Sequence, residues 1–258
     1  MITRRTFSKS LVAGAAASLV TSRGIAATAK SEKLGVRNIV FVHGLFADGS
    51  CWSDVITRLQ SQGLNTTSVQ NPLTTLPEAV VSAQRVLARQ DGPTVLVGHS
   101  FGGMIVTEAG TRPNVSSLVY VAARAPDANE DYAVLAKEYS TPPASAGIMF
   151  DGEEGWLSEA AFLRDFAGDL PQARARLLYA VQQPFQKSLL GGNVSQAAWH
   201  TKPSYYAVST MDRTIDPDLQ RFMAKRMGAR TIEVSASHLS LISRPDEITR
   251  LVLDACGL

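Results

Sequence analysis

Thr94-Val95-Leu96-Val97-Gly98-His99-Ser100-Phe101-Gly102-Gly103-Met104-Ile105-Val106 leaves few folds open to this chain. An apolar, β-branched run ends in Gly-His-Ser-Phe-Gly, and a second apolar run compatible with a helix follows. The pattern reads as a strand, a sharp turn and a helix, with Ser100 at the tip of the turn. A turn this tight crowds the backbone, so its flanking positions must be small. Gly98, Gly102 and Gly103 meet that need. The turn lifts the serine hydroxyl clear of the sheet edge, and the helix behind it offers free N–H groups to an anion.

The rest of the chain repeats the same alternation. Strands are expected at 36–42, 64–69, 117–122, 204–209 and 230–235, besides the one that leads into Ser100. Helices are expected at 50–62, 76–89, 219–227 and 245–255, besides the one that runs from the serine turn to Ala109. Alternation of this kind implies an α/β fold, a mostly parallel sheet of about six strands flanked by helices. Ligands of such sheets sit at the carboxyl ends of the strands. The chain has 258 residues, 45% of them hydrophobic and 19% charged, which suits one globular domain with an insertion. Residues 124–202 are the insertion. They carry Pro126, Pro142, Pro143, Pro171 and Pro184, three helical patterns and no clear strand, and so read as a mainly helical cap over the sheet edge. The core is then 36–123 and 203–258. Apolar cap residues such as Phe150, Trp156, Phe166 and Trp199 are expected mostly as packing, with a few lining an apolar pocket.

A serine hydroxyl is a weak nucleophile at neutral pH. It needs a base within hydrogen-bond reach, and the base needs a third group to fix its tautomer. The chain has four histidines. His99 adjoins the serine and points back beneath the turn. His43 shapes the loop after the first strand, and His200 precedes a strand on the amino side. His238 follows the last strand, at the carboxyl edge, and is the expected base. The orienting acid belongs at a strand end between serine and histidine. Asp212 fits just after the fifth core strand. Asp127, after the fourth, is a rival, and Asp216 beside Pro217 reads as a helix cap. An oxyanion needs two donors. The backbone N–H groups of Phe101 and Leu45 are the candidates. The glycines of His43-Gly44-Leu45-Phe46-Ala47-Asp48-Gly49 lack the G-x-G-x-x-G order, which disfavours a nicotinamide or flavin cofactor. No Cys/His cluster has zinc spacing. Cys51 and Cys256 sit on separate expected helices and are expected as free buried thiols.

From 36 to 256 the chain resembles the α/β-hydrolase superfamily. The resemblance rests on His43-Gly44-Leu45-Phe46, Gly98-His99-Ser100-Phe101-Gly102-Gly103, Thr210-Met211-Asp212-Arg213-Thr214-Ile215 and Ser237-His238. Asp218-Leu219-Gln220-Arg221-Phe222 looks like the branch of plant methylesterases and hydroxynitrile lyases, to which bacterial carboxylesterases also belong. The resemblance implies a Ser100–His238–Asp212 triad, an oxyanion hole at Leu45 and Phe101, a helical cap, a small-molecule ester substrate and no cofactor. The chain departs from the pattern twice. The first strand follows almost directly on the N-terminal signal, so the superfamily's leading antiparallel strands are not expected, and Leu239 stands where lyase-like members carry a lysine after the catalytic histidine. The expected activity is therefore ester hydrolysis through an acyl-enzyme. A cofactor-free perhydrolase or a C–C bond hydrolase would keep the same residues, and a non-catalytic binding protein is the alternative outside enzymes.

The N-terminus carries a different message. Thr3-Arg4-Arg5-Thr6-Phe7-Ser8-Lys9, the apolar stretch 11–20 and Ala27-Thr28-Ala29 read as a twin-arginine export signal over residues 1–29 with its cleavage site. The apolar run is too short to span a bilayer. Residues 1–29 hold Arg4, Arg5, Lys9 and Arg23 and no acid, so cleavage takes the formal charge from +2 to −2. The basic balance thus belongs to the leader and does not argue for nucleic acid or an anionic membrane as a partner. Residues 1–35 fused to a reporter should direct it to the periplasm. Changing Arg4 and Arg5 to Lys should abolish that export, as measured by fractionation.

Overall fold

Six strands form one parallel sheet in the computed structural model, which describes residues 35–258. The strands are β1 (Asn38–Val42), β2 (Asn65–Val69), β3 (Thr94–His99), β4 (Val115–Val121), β8 (Ser204–Ser209) and β9 (Arg230–Val234). Their order is β2-β1-β3-β4-β8-β9. Residue chemistry follows position in the sheet. Central β1 and β3 are buried along their whole length, as covered parallel strands must be. Edge strands β2 (NTTSV) and β9 (RTIEV) are polar and partly exposed, which discourages pairing with another chain. The expected twin-arginine signal 1–29 and its cleavage site lie outside the described residues.

Helices cover both faces. One layer holds α1 (Ser53–Gln60) against α9 (Pro245–Cys256), and the other holds α2 (Leu76–Leu87) against α3 (Gly102–Ala109). Helix α7 (Pro217–Arg226) packs on β8, and the short α8 (Ser240–Ser243) packs on α1 and α9. The stretch 50–62 begins as a 3-10 turn, Gly49–Trp52, before becoming α1, with Asp48 capping the turn. Strand order reverses between β1 and β3. The loops after these two strands therefore diverge and leave a crevice at the carboxyl edge.

The insertion differs from the sequence expectation in one respect. It contains helices α4 (Tyr132–Ala136), α5 (Glu159–Ala161) and α6 (Gln172–Ala180) and a π-helical turn, Phe162–Phe166. It also contains a three-stranded antiparallel sheet of β5 (Ile148–Asp151), β6 (Glu154–Leu157) and β7 (Phe185–Gln186), where no strand was expected. These strands are two to four residues long, too short for alternation to stand out. Asp151-Gly152 did carry a hairpin signal. Gly152 opens the two-residue turn at φ +58°, which a residue with a Cβ resists. An isolated bridge between Ala128 and Val194 closes the base of the insertion. Cys51 and Cys256 are free and buried, and burial pushes both thiols up, Cys256 to about 12.

The small positions around the serine turn are sterically required. A Cβ would stand 2.6 Å from Val106 at Gly98 and 2.2 Å from the Arg124 carbonyl oxygen at Gly103. At Gly102 it would stand 2.7 Å from the Val42 carbonyl oxygen and 2.8 Å from that of His43, both rigid backbone at the end of β1. Gly102→Ala should therefore destabilise the protein by roughly 1–3 kcal/mol, the usual cost of overpacking, read as a lower urea midpoint at unchanged slope.

Candidate active site

Three loops meet at the carboxyl edge. The first to consider follows β3. Ser100 sits there at φ +54°, a left-handed conformation that is strained for any residue with a Cβ. Hydrogen bonds over-determine the turn. The Ser100 carbonyl accepts from the N–H of Gly103 (3.0 Å) and of Arg124 (2.9 Å), and its own N–H donates to the Val121 carbonyl at 3.3 Å. Across the crevice lies the loop after β1. Gly44 approaches so closely that a Cβ would stand 2.6 Å from the Ser100 Cβ and 3.2 Å from its Oγ. Phe46 is also left-handed, at φ +62°. It is wedged edge-on between Phe166 and Phe185 of the cap, at 5.6 and 5.1 Å between ring centres. The backbone N–H groups of Leu45 and Phe101 have no acceptor among the described residues.

The third loop follows β9 and carries His238, which is fully buried. Its Nδ1 donates to Asp212 Oδ2 at 2.7 Å, so its proton sits on Nδ1 and the Nε2 lone pair is bare. Nε2 makes no hydrogen bond among the described residues, Ser100 Oγ included. Such bonds are often long without substrate and tighten when it binds. His99 links the two loops. Its Nε2 donates to the His238 carbonyl at 3.1 Å, and the two rings lie 4.6 Å apart. Burial and the neighbouring His238 hold the His99 pKa well below the ordinary imidazole range, and burial lowers that of His43. Both stay neutral. His43 Nδ1 donates to the Gly44 carbonyl at 2.9 Å and so braces the loop that faces the serine.

Asp212 is the most heavily bonded group of the site. Oδ1 accepts from the N–H of Thr214 (2.7 Å) and of Ile215 (3.1 Å). Oδ2 accepts from His238 and, at 2.7 Å, from Gln220 Nε2. The rival acids fall elsewhere. Asp127 pairs with His200 at 2.8 Å on the surface. Asp216 caps α7, accepting from the N–H of Asp218 at 2.7 Å.

Sequence reasoning missed the supports. Gln220 is fully buried, and its amide also bonds the Ser209 N–H (3.0 Å) and the Ile215 carbonyl (3.0 Å). Its signal was a polar residue on the buried stripe of α7, beside Leu219, Met223 and Ala224. Asp165, whose side chain is buried in the cap, pairs with Arg164 at 2.6 Å and with Arg213, the residue after Asp212, at 2.7 Å. Asp169 accepts from the N–H of Ser237 at 3.0 Å and from its hydroxyl. The cap therefore grips both loops that carry the His–Asp pair. A cavity of about 380 Å³ opens between cap and core, lined by Leu45, Phe46 and Ser100 below and by Tyr132, Phe150 and Leu157 above.

A family model described as the alpha/beta hydrolase family matches residues 39–251. The chain belongs to that family. It is 23% identical to methylesterase 10 of Arabidopsis thaliana over 257 aligned positions, which cover 84% of this chain and 90% of that one. It is 25% identical to a pyrethroid hydrolase of Sphingobium wenxiniae, with 85% and 87% covered. The solved structure of polyneuridine aldehyde esterase superposes with a TM-score of 0.72 at 19% identity, over 85% of this chain and 98% of that one. Among the described residues no helix is long and apolar enough to cross a membrane.

Arg164 first, then Arg213, holds the Asp165 carboxyl below the usual carboxylate range. A depressed native pKa adds stability that is complete above the ordinary value near ~3.9 and is lost as pH falls through the native one. Asp165→Asn should melt at a lower temperature than the wild type at pH 7. The gap should narrow below about pH 4, as followed by calorimetry across pH.

Proposed function

We propose that this protein is a carboxylesterase-type hydrolase of small-molecule esters. In this reading Ser100 is the nucleophile, His238 the general base and acid, and Asp212 the group that orients His238. The observation that carries the reading is the 2.7 Å bond from His238 Nδ1 to Asp212. It leaves a bare Nε2 on a loop that His99 ties to the serine turn. The named relatives, a methylesterase and a pyrethroid hydrolase, support hydrolysis as the activity class.

The reaction runs in two halves. Ser100 Oγ attacks the ester carbonyl carbon while His238 Nε2 takes its proton. The carbonyl oxygen becomes an oxyanion between the N–H groups of Leu45 and Phe101. One such donor contributes about 3–4 kcal/mol to lowering the barrier. His238 then gives its proton to the alkoxide oxygen as the C–O bond breaks, and the alcohol leaves an acyl-Ser100. Water attacks the acyl carbon, His238 takes a proton from it, and collapse releases the acid and returns the proton to Ser100. Asp212 stays ionised and stabilises the imidazolium formed in each half. Its four donors, Gln220 among them, keep it in place. Leu239 is buried in the position after His238, so that position offers no cation to a departing cyanide. The reading includes export, so the place of action is the periplasm or the medium.

A fluorophosphonate should label Ser100, seen as a mass adduct on the peptide that contains it. Ser100→Ala should lose the label and at least about 10³-fold of p-nitrophenyl butyrate hydrolysis. A label on another residue, or a Ser100→Ala protein as active as the wild type, would overturn the assignment.

A further inference from the structure

An arginine interrupts the apolar stretch Val121-Ala122-Ala123-Arg124-Ala125-Pro126, just beyond β4. Its backbone belongs to the site, since the Arg124 N–H donates to the Ser100 carbonyl at 2.9 Å. Its side chain turns inward, and the residue is only 8% exposed. The guanidinium carbon lies 4.6 Å from the centre of the Tyr132 ring and 5.8 Å from that of Phe101. Nη1 donates to the Leu189 carbonyl at 2.7 Å. Nε is buried with no acceptor, and no carboxylate pairs with Arg124, both among the described residues. Asp165 shows the contrast, since two arginines meet that buried carboxylate.

A buried guanidinium cannot shed its charge, and two aromatic faces with one carbonyl compensate it only in part. What it lacks is an anion. Arg124 lines the same cavity as Ser100, and so does Lys137 of the cap. Among the described residues no Asp or Glu lines that cavity. A planar guanidinium that lines the cavity suits the oxygens of a carboxylate better than an ammonium does.

We propose that Arg124 is an anion anchor that makes this enzyme selective for esters carrying a free carboxylate. The carboxylate binds the guanidinium, while the ester carbonyl of the same molecule lies at Ser100. The carboxylate can reside on the acyl half, as in a half-ester of a dicarboxylic acid, or on the alcohol half, as in an acylated hydroxy acid. The apolar remainder of the lining, Phe46, Ile148, Phe150 and Leu157 included, accommodates the carbon chain between them. The inference rests on the proposed esterase reading. The plain alternative is that Arg124 only ties cap to core, through Leu189 and Tyr132.

The test compares kcat/KM for monomethyl glutarate against dimethyl glutarate, and for acetoxyacetate against ethyl acetate. The wild type should favour the carboxylate-bearing ester in at least one pair, and the pair that responds identifies the half that carries the charge. Arg124→Gln should lower that selectivity ratio on the order of 10²-fold, chiefly through KM. Arg124→Lys should retain part of it. A wild type that prefers the neutral ester in both pairs overturns the proposal. So does an Arg124→Gln protein in which both members of a pair fall together, because a structural tie would not alter the ratio. A binding measurement separates failure of this inference from failure of the esterase reading. Ser100→Ala protein should bind monomethyl glutarate or acetoxyacetate by calorimetry, and the Ser100→Ala, Arg124→Gln double variant should not. Equal binding by the two, or none by either, overturns the anchor whether or not any ester is turned over.

Discussion

The carboxylate of Asp212 joins three parts of the chain. Two backbone N–H groups of its own loop, the Gln220 amide of α7 and the imidazole of the β9 loop all converge on its two oxygens. An ionised group this deep is tolerable only because every direction open to it holds a donor. The consequence runs outward from there. The imidazole is locked in one tautomer, the start of α7 is fixed against β8, and the loop after β8 cannot relax toward solvent. Replacing the carboxylate by an uncharged group would leave those donors facing nothing, which is why the site depends on one residue more than its size suggests.

A second layer of order comes from the cap. Asp165 reaches Arg213 and Asp169 reaches Ser237, so the segment 162–169 touches the loop of Asp212 and the loop of His238 at once. Phe166 adds an apolar contact on the ring of His238, at 5.1 Å between centres, and its edge-on contact with Phe46 holds the facing loop. The insertion is thus more than a roof. It supplies the walls of the cavity and also steadies the residues beneath it.

Much of this was legible in the sequence, for reasons that differ by element. The buried strands were plain because parallel strands covered on both faces are written as unbroken apolar runs, as in Ile39-Val40-Phe41-Val42. The serine turn was plain because its sterics admit only small neighbours. Asp216 reads as a helix cap beside Pro217, but Asp127 follows a core strand as Asp212 does, and only the fold shows that His238 meets Asp212 and His200 meets Asp127. The supports were hidden. Asp165 and Arg213 lie 48 residues apart, and nothing local to either announces the other. Gln220 looks like one more polar residue of an amphipathic helix until its face is known to be the buried one. The cap strands escaped because two to four residues leave no period to detect, although Asp151-Gly152 marked their turn. Arg124 was visible as a charge in an apolar run, but its lack of a carboxylate partner is a fact of three dimensions only.

The bond from His99 to the His238 carbonyl has a further consequence. It joins the main chain at His238 to a side chain adjacent to Ser100, entirely within the core. The alignment of hydroxyl and imidazole is therefore referenced to the sheet, as two parts bolted to one chassis. Walls contributed by Tyr132, Phe150 or Leu157 can be reshaped for a longer or bulkier guest without moving that reference. A scaffold of this kind separates what is admitted from how it is processed, which makes its substrate range open to engineering through the cap alone.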